Sequence, residues 1–124
     1  MVSFDRVYEL MQDLADELPK GFFDQLNGGI SLSEETRMNP QAKDDDLFTL
    51  GEYHHGDALG RRIVLYYGSL MAVYGGYPEE LLVAQLRRVL RHEFRHHLES
   101  LAGENGLEIE DQKQMEAYLR SKGM

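Results

Sequence analysis

The sequence contains no cysteine, and this absence removes several kinds of site at once. Without thiols, the chain can form no disulfide, no thiolate zinc site and no cysteine nucleophile. It also has no apolar run near the roughly 20 residues that a membrane-spanning helix needs. Its acidic N-terminus lacks the basic start and the apolar stretch of a signal peptide. We therefore expect a cytoplasmic protein with no membrane partner.

Positive charge is scarce as well. The 13 lysines and arginines are outnumbered by 22 acidic residues, so the net charge is −9 and the isoelectric point is near 4.9. This balance argues against nucleic acid as a main partner, because phosphate backbones bind basic surfaces. The chain shows no internal repeat and no low-complexity linker, and its 124 residues suit one modest core. We predict a single domain over residues 1–124, whose oligomeric state the sequence leaves open.

Apolar periodicity and turn residues predict the order of helices and strands. Ser3 is suited to cap a first helix that Pro19 ends. A strand is predicted near Gly29–Ser33, and two more form a hairpin in LFTLGEYHH and RRIVLYYGS, joined by GDALG. The longest helix begins around Pro78 and stops at Gly103, and a closing helix follows. We predict an α+β domain in which a small, twisted, partly antiparallel sheet of about three strands packs on the long helix, with helices at both ends.

The longest helix carries RHEFRHHLES, with three of the five histidines of the chain. His92 and His96 are four residues apart, which places them about 40° apart around the helix axis and about 6 Å along it. Both imidazoles can therefore reach one ion, and zinc takes neutral imidazole ligands. Glu93 lies on the same broad side but is offset, where it can accept a proton from a water on the metal. The spacing predicts zinc ligands at His92 and His96 and a general base at Glu93.

The surroundings of the motif favour this interpretation but leave an alternative. An apolar stripe that includes Leu86, Val89 and Leu90 leads to Glu93 and indicates a position at the edge of the core. His97 lies about 100° around the helix from His96, so we interpret it as a supporting or core histidine and not a ligand. In the alternative, the motif is incidental to an exposed basic helix surface that carries Arg87, Arg88, Arg91 and Arg95.

The chain also resembles a known family, the small bacterial zincin-like proteins described as minimal metalloproteases. The resemblance covers nearly the whole chain and is carried by ELPKGFFDQLNGGI, DLFTLGEYH, IVLYYGSLMAVYG and HEFRHHLESLAG. It implies a minimal zincin-like fold, one Zn²⁺ per chain on the H-E-x-x-H helix, and peptidase activity on a peptide or protein substrate. His92, Glu93 and His96 match the motif. Some members continue it with a glycine and then an aspartate as third ligand, but those positions are Glu99 and Ala102 here, so the third ligand does not carry over.

The third ligand must therefore be argued from the residues. Glu99 faces the right way but lies about 10.5 Å along the axis from His92, which is hard to reconcile with one straight helix. A turn at Gly103–Gly106 could return an acid from the closing helix. Asp111 falls on the inward face of that helix, and a buried carboxylate needs a partner such as a metal. We predict Asp111 as the third ligand, with Glu108 and Glu99 as alternatives.

The rest of the site is less determined. Zincin-type peptidases hold an extended substrate against an edge strand by backbone pairing, and the hairpin strands carry tyrosines and histidines that could donate a hydrogen bond to a developing oxyanion. Among them we predict His54 and Tyr67 first. Three functions follow in order: a zinc-dependent peptidase, a zinc-binding structural or interaction protein that lacks peptidase activity, and an interaction module whose histidines are incidental.

Overall fold

Helices frame a small sheet in the computed structural model of the chain, which describes residues 1–39 and 47–105, and side chains as far as 103. The mixture of helices and sheet confirms the predicted α+β class. In chain order the elements are α1 (Phe4–Ala15), a 3₁₀ turn (Lys20–Phe23), β1 (Gly29–Ser33), β2 (Arg37–Met38), β3 (Phe48–Thr49), β4 (Gly51–His54), β5 (Arg62–Tyr66), α2 (Tyr67–Tyr74) and α3 (Glu79–Asn105).

The main sheet has three strands in the order β1, β5, β4, so β4 forms one edge. β1 runs parallel to β5, with Gly29 opposite Arg62. β4 runs antiparallel to β5, with Gly51 opposite Leu65 and His54 opposite Arg62. The sheet is therefore partly antiparallel, as predicted, and β2 and β3 form a separate two-stranded antiparallel sheet.

The long helix α3 packs on the main sheet and also on α1. One side of α3 is almost fully buried at Leu82, Leu86, Leu90 and Phe94. The Ser3 hydroxyl accepts a hydrogen bond from the Arg6 amide at 3.1 Å, which confirms the predicted cap of α1. Within the described ranges, every helix falls short of the length and apolarity of a membrane span.

Ion pairs tie α1 and the residues just after it to α3. Arg6 and Glu79 are 2.6 Å apart, nitrogen to oxygen. The Glu17 carboxylate binds both Arg87, at 3.1 Å, and Arg91, at 3.4 Å. The side chain of Arg91 is only 5% exposed. These two arginines therefore pair with the segment after α1, so they do not form the open basic surface of the alternative interpretation.

Two predicted strands have different bounds in the structure. The segment RRIVLYYGS leaves the sheet after Tyr66, and α2 begins at Tyr67. The chain can turn there because Gly68 passes against residue 36: a Cβ on this glycine would lie 2.0 Å from the Thr36 hydroxyl oxygen. The segment LFTLGEYHH is not one strand, because Phe48–Thr49 pairs with β2 and only Gly51–His54 joins the main sheet.

The predicted end of the long helix is also wrong. α3 continues through Gly103 to Asn105. A glycine in a helix interior costs only about 1 kcal/mol relative to alanine, so one glycine does not force a stop. The predicted closing helix falls in residues 106–124 and lies outside the described residues.

Candidate active site

The motif residues of α3 line a cleft beside the edge strand β4. The cleft has a volume of about 430 Å³. One wall is the motif helix and the other is β4 with the residue that follows it. The lining residues are Gly51, Glu52, Tyr53, His55, His92, Glu93 and His96. The fold therefore brings the three predicted motif residues to one opening at the edge of the sheet.

His92 and His96 present their outer ring nitrogens to each other. The two Nε2 atoms are 3.1 Å apart, and the ring planes are nearly perpendicular at 89°. Two ligands at about 2.0–2.1 Å from a tetrahedral zinc would lie about 3.4 Å apart, so the pair fits a shared ion with little movement. Desolvation, and then the charge of His96, lower the pKa of His92. This favours the neutral ring, which is the form that binds a metal.

No third ligand completes the pair within the part of the chain that the structure describes, since no cluster of three metal-binding side chains is found there. The Glu99 carboxylate lies 3.9 Å from Nδ1 of His96. That nitrogen is not the one that faces His92, and the distance is too long for a hydrogen bond. Asp111 and Glu108 lie outside the described residues, and their predicted roles stay predictions.

Glu93 is a buried carboxyl group that still reaches the cleft. Its residue is 6% exposed. Burial, and secondarily the charge of Glu52, raise the pKa of Glu93 to about 7. A general base works best when its pKa is near the working pH, so this position suits proton transfer close to neutrality.

Gly51 allows β4 to approach the helix at this point. A Cβ at Gly51 would lie 2.7 Å from Leu65 Cδ2, 3.2 Å from Val89 Cγ1 and 3.4 Å from Glu93 Cγ. Contacts under 3.0 Å force atoms to move, and a packed interior resists such movement. The absence of a side chain at Gly51 therefore allows β4 to lie this close to Val89 and Glu93.

A hydrogen-bonded group behind the cleft fixes its far wall. His97 is fully buried, and its Nε2 lies 2.8 Å from the Asp24 carbonyl oxygen. A carbonyl only accepts, so Nε2 carries the proton, and Nδ1 accepts from the Tyr53 hydroxyl at 2.9 Å. Arg61 donates to the same hydroxyl at 2.9 Å. Burial lowers the pKa of His97, which keeps the ring neutral. His97 is thus a core histidine, as predicted, and the Tyr53 hydroxyl already donates and accepts.

The two predicted oxyanion donors lie away from the cleft. The Tyr67 hydroxyl donates to the Val2 carbonyl at 2.6 Å, and its ring packs edge-on against Phe4. Nε2 of His54 lies 3.8 Å from the Glu52 carboxylate, and His54 is not among the lining residues. His55 lines the cleft instead, with its ring stacked on Tyr53 at 5.6 Å between centroids. The oxyanion roles predicted for His54 and Tyr67 stay predictions.

Comparison with known proteins agrees with this geometry. A family model described as Zincin-like metallopeptidase matches residues 48–118, which is more than half of the 124-residue chain. The chain belongs to the zincin-like metallopeptidase family. The match begins in β3 and runs past the end of α3, so this zincin-like protein has its edge strand, its motif helix and the predicted third ligand within the matched region.

One solved structure is similar over most of the zincin-like chain. It is a conserved hypothetical protein from Thermo thermophilus, with 34% sequence identity and a TM-score of 0.69. The similarity covers 82% of this chain and 98% of the other. That description assigns no activity to the similar protein, so the likeness supports the fold. No curated protein matches the chain.

Proposed function

We propose that the protein is a zinc-dependent metallopeptidase in which His92 and His96 bind the metal and Glu93 is the general base. The observation that carries the proposal is the pair of Nε2 atoms 3.1 Å apart beside a buried carboxyl group whose pKa is raised to about 7. Membership of the zincin-like metallopeptidase family supports the same chemistry. Asp111 is the proposed third ligand, with Glu108 and Glu99 as the alternatives.

Each of these residues would have a separate role in peptide hydrolysis. Bound zinc would supply a Lewis acid that polarises the scissile carbonyl and lowers the pKa of a water molecule. Glu93 accepts the proton of the attacking water and returns it to the leaving amine. The outer edge of β4 offers backbone groups to an extended peptide. The Glu99 carboxylate lies 3.9 Å from Nδ1 of His96, and the ring of Tyr53 stacks on His55 at the far wall.

The test compares zinc binding and hydrolysis in matched variants. We expect the wild-type protein, stripped of metal and titrated with Zn²⁺, to bind one ion per chain and to cleave a mixed peptide library. Glu93→Gln should keep the metal and lose at least about 100-fold in rate, which is the usual contribution of a general base. Glu80→Gln, on an exposed first turn of the same helix, is the control and should change neither result.

The outcomes separate the proposal from its alternative. Absence of zinc uptake would contradict both the peptidase and the structural zinc site. Zinc uptake that raises the melting temperature, with no peptide cleaved, would favour a zinc-binding structural or interaction protein without peptidase activity.

A further inference from the structure

Arg95, on the motif helix, has a guanidinium group with buried nitrogens that lack a partner among the described residues. α3 carries four arginines, and three of them donate hydrogen bonds to other side chains: Arg87, Arg88 and Arg91. Arg95 is half-buried, and its Nε and Nη2 atoms are buried without a hydrogen-bond partner in the described ranges. A buried charge without a partner is costly. We therefore expect an anion to bind this guanidinium.

The acids near Arg95 in the described part of α3 do not bind it. Glu99 follows Arg95 by four residues, a spacing at which helical side chains can pair. Its carboxylate instead lies 3.9 Å from Nδ1 of His96. Glu93 is buried and lines the cleft. The candidates that remain are acids that follow α3 in the sequence, among them Glu108 and Asp111.

Arg95 and Glu93 lie on opposite sides of the two histidines. Glu93 is about 100° around the helix axis from His92 in one direction, and Arg95 is about 60° from it in the other. Desolvation and the charge of His96 are the main causes of the lowered pKa of His92, and the charge of Arg95 is the next. A tetrahedral zinc held by two histidines has two further positions. The cleft takes the position for water and substrate, which leaves the side of Arg95 for the third ligand.

The unpartnered edge of Arg95 is the edge with which an arginine binds a carboxylate. On the same helix, Nε and Nη2 of Arg87 bind the two carboxylate oxygens of Glu17, each at 3.1 Å. This two-fold pairing fits the planar fork of a guanidinium. Each carboxylate oxygen has two lone pairs, so one oxygen can coordinate a metal and still accept a hydrogen bond. Carboxylates that bind metals are commonly held by such outer hydrogen bonds.

We propose that Arg95 is the positioning residue of the third metal ligand, and that its Nε and Nη2 donate to the carboxylate of Asp111. This inference rests on the proposed zinc site. Arg95 would hold the acid beside His92 and His96, so the loss of its guanidinium should weaken the binding of zinc.

The first experiment measures the dissociation constant of Zn²⁺ by competition with a chromophoric chelator. Arg95→Met keeps an unbranched side chain and removes the charge. We expect it to bind zinc about 10- to 100-fold more weakly than the wild type, the usual cost of losing an outer partner of a metal ligand. Arg88→Met is the matched control, because the charge of Arg88 also acts on His92. Zinc should bind this control no more weakly than the wild type.

The sign of the change separates positioning from simple electrostatics. Removal of a positive charge near the site should by itself strengthen the binding of a dication. Weaker binding to Arg95→Met would therefore support a role in holding a ligand, and unchanged or tighter binding would overturn the inference. Circular dichroism shows whether the variant is folded. If it is not, Arg95→Lys, which keeps the charge but not the fork, is judged by the same criterion.

The second experiment identifies the acid by combining Arg95→Met with Asp111→Ala or with Glu108→Ala. Once the acid that Arg95 binds is absent, Arg95→Met should weaken zinc binding no further. We expect this result with Asp111→Ala and additive losses with Glu108→Ala. Additive losses with both acids would overturn the inference. Non-additive losses with Glu108→Ala alone would overturn the choice of Asp111.

The same combinations are also measured on the metal-free proteins, as shifts in melting temperature. This readout depends neither on zinc nor on cleavage. If the wild type takes up no zinc, the proposed function fails, and the metal-free measurement still decides whether Arg95 binds the acid. We expect the shifts of Arg95→Met and Asp111→Ala to be non-additive. Additive shifts would overturn the inference.

Discussion

His96 and His97 are adjacent and chemically identical, yet the structure uses them in opposite ways. The side chain of His96 is 51% exposed, and its Nε2 faces the equivalent atom of His92. His97 is fully buried, and both its ring nitrogens are within hydrogen-bond distance of protein atoms. The 100° step between successive helix residues puts one ring in the cleft and the other in the core. A histidine can therefore bind a metal when the fold turns one of its ring nitrogens towards a second ligand and not into the core.

The largest effect is expected when each histidine is removed in turn, which tests whether only His97 belongs to the core. His97→Ala should lower the free energy of unfolding by about 3 kcal/mol, because it leaves a void and deprives the Tyr53 hydroxyl and the Asp24 carbonyl of a partner. His96→Ala, measured without metal, should change it by less than about 0.5 kcal/mol, as is usual for exposed sites. Urea denaturation in the presence of a chelator measures both. Equal losses would contradict the division into a core face and a cleft face.

The second prediction concerns Gly51, where an added side chain would push β4 away from α3. Gly51→Ala should cost about 2 kcal/mol, because its Cβ would lie 2.7 Å from Leu65 Cδ2, and overpacking of this kind is typically destabilising. Gly21→Ala is the matched control, since a Cβ there meets no atom within 4 Å in the part of the chain that the structure describes. Thermal unfolding of the two variants gives the comparison. If both behave alike, the close approach of β4 to α3 is not set by Gly51.

The third prediction concerns Glu93, which is buried like His97 and also lines the cleft like His96. Its pKa of about 7 in the folded protein exceeds the value of about 4.3 of an unfolded glutamate. The folded state therefore keeps a proton that the unfolded state loses, and the stability of the metal-free protein should fall as the pH rises from about 4.3 to 7. Glu93→Gln should not show this loss. Between pH 4 and pH 8, its free energy of unfolding should rise relative to that of the wild type by on the order of 1–2 kcal/mol.

Denaturation of metal-free wild type and Glu93→Gln across that pH range measures the effect. Glu80→Gln again serves as the exposed control. Parallel pH profiles for all three proteins would show that burial does not raise the pKa of Glu93.

The smallest effect is expected far from both faces, at the end of α3. Gly103→Ala should raise the free energy of unfolding by about 0.5–1 kcal/mol, because alanine is favoured over glycine inside a helix and a Cβ meets no atom of the described residues within 4 Å. Calorimetry of the single variant is sufficient. A loss of stability would mean that the helix ends at this glycine in solution, as the sequence pattern first indicated.

Local signals in the sequence predicted the elements that depend on local physics. The cap at Ser3 and the strand Gly29–Ser33 were both correct, because a capping hydroxyl and a Gly-Gly entry act within a few residues. The helix α2 was missed because YGSLMAVY is apolar on nearly all sides and has no helical period to detect.

Predictions that depend on the partners of a strand were harder. Whether Phe48–Thr49 pairs with β2 or with β5 depends on residues distant in sequence, and no local pattern records that choice. The same limitation applies to the depression lined by Phe48, Thr49 and Val89, whose residues come together only in the folded chain. The motif spacing, by contrast, placed His92, Glu93 and His96 in one cleft, because helix geometry alone determines their relation.

The position of β4 at the edge of the sheet has a consequence for how copies of the protein behave when crowded. An unpaired edge is a template on which another chain can add a strand, and this is a common origin of aggregation. Here the edge strand is four residues long, includes the charged Glu52, and ends at His54. Such a short, polar edge gives an aggregating neighbour few backbone hydrogen bonds, although it is long enough to pair with two or three residues of the proposed peptide substrate. The shortness of β4 thus limits the strand pairing that is available to a second copy.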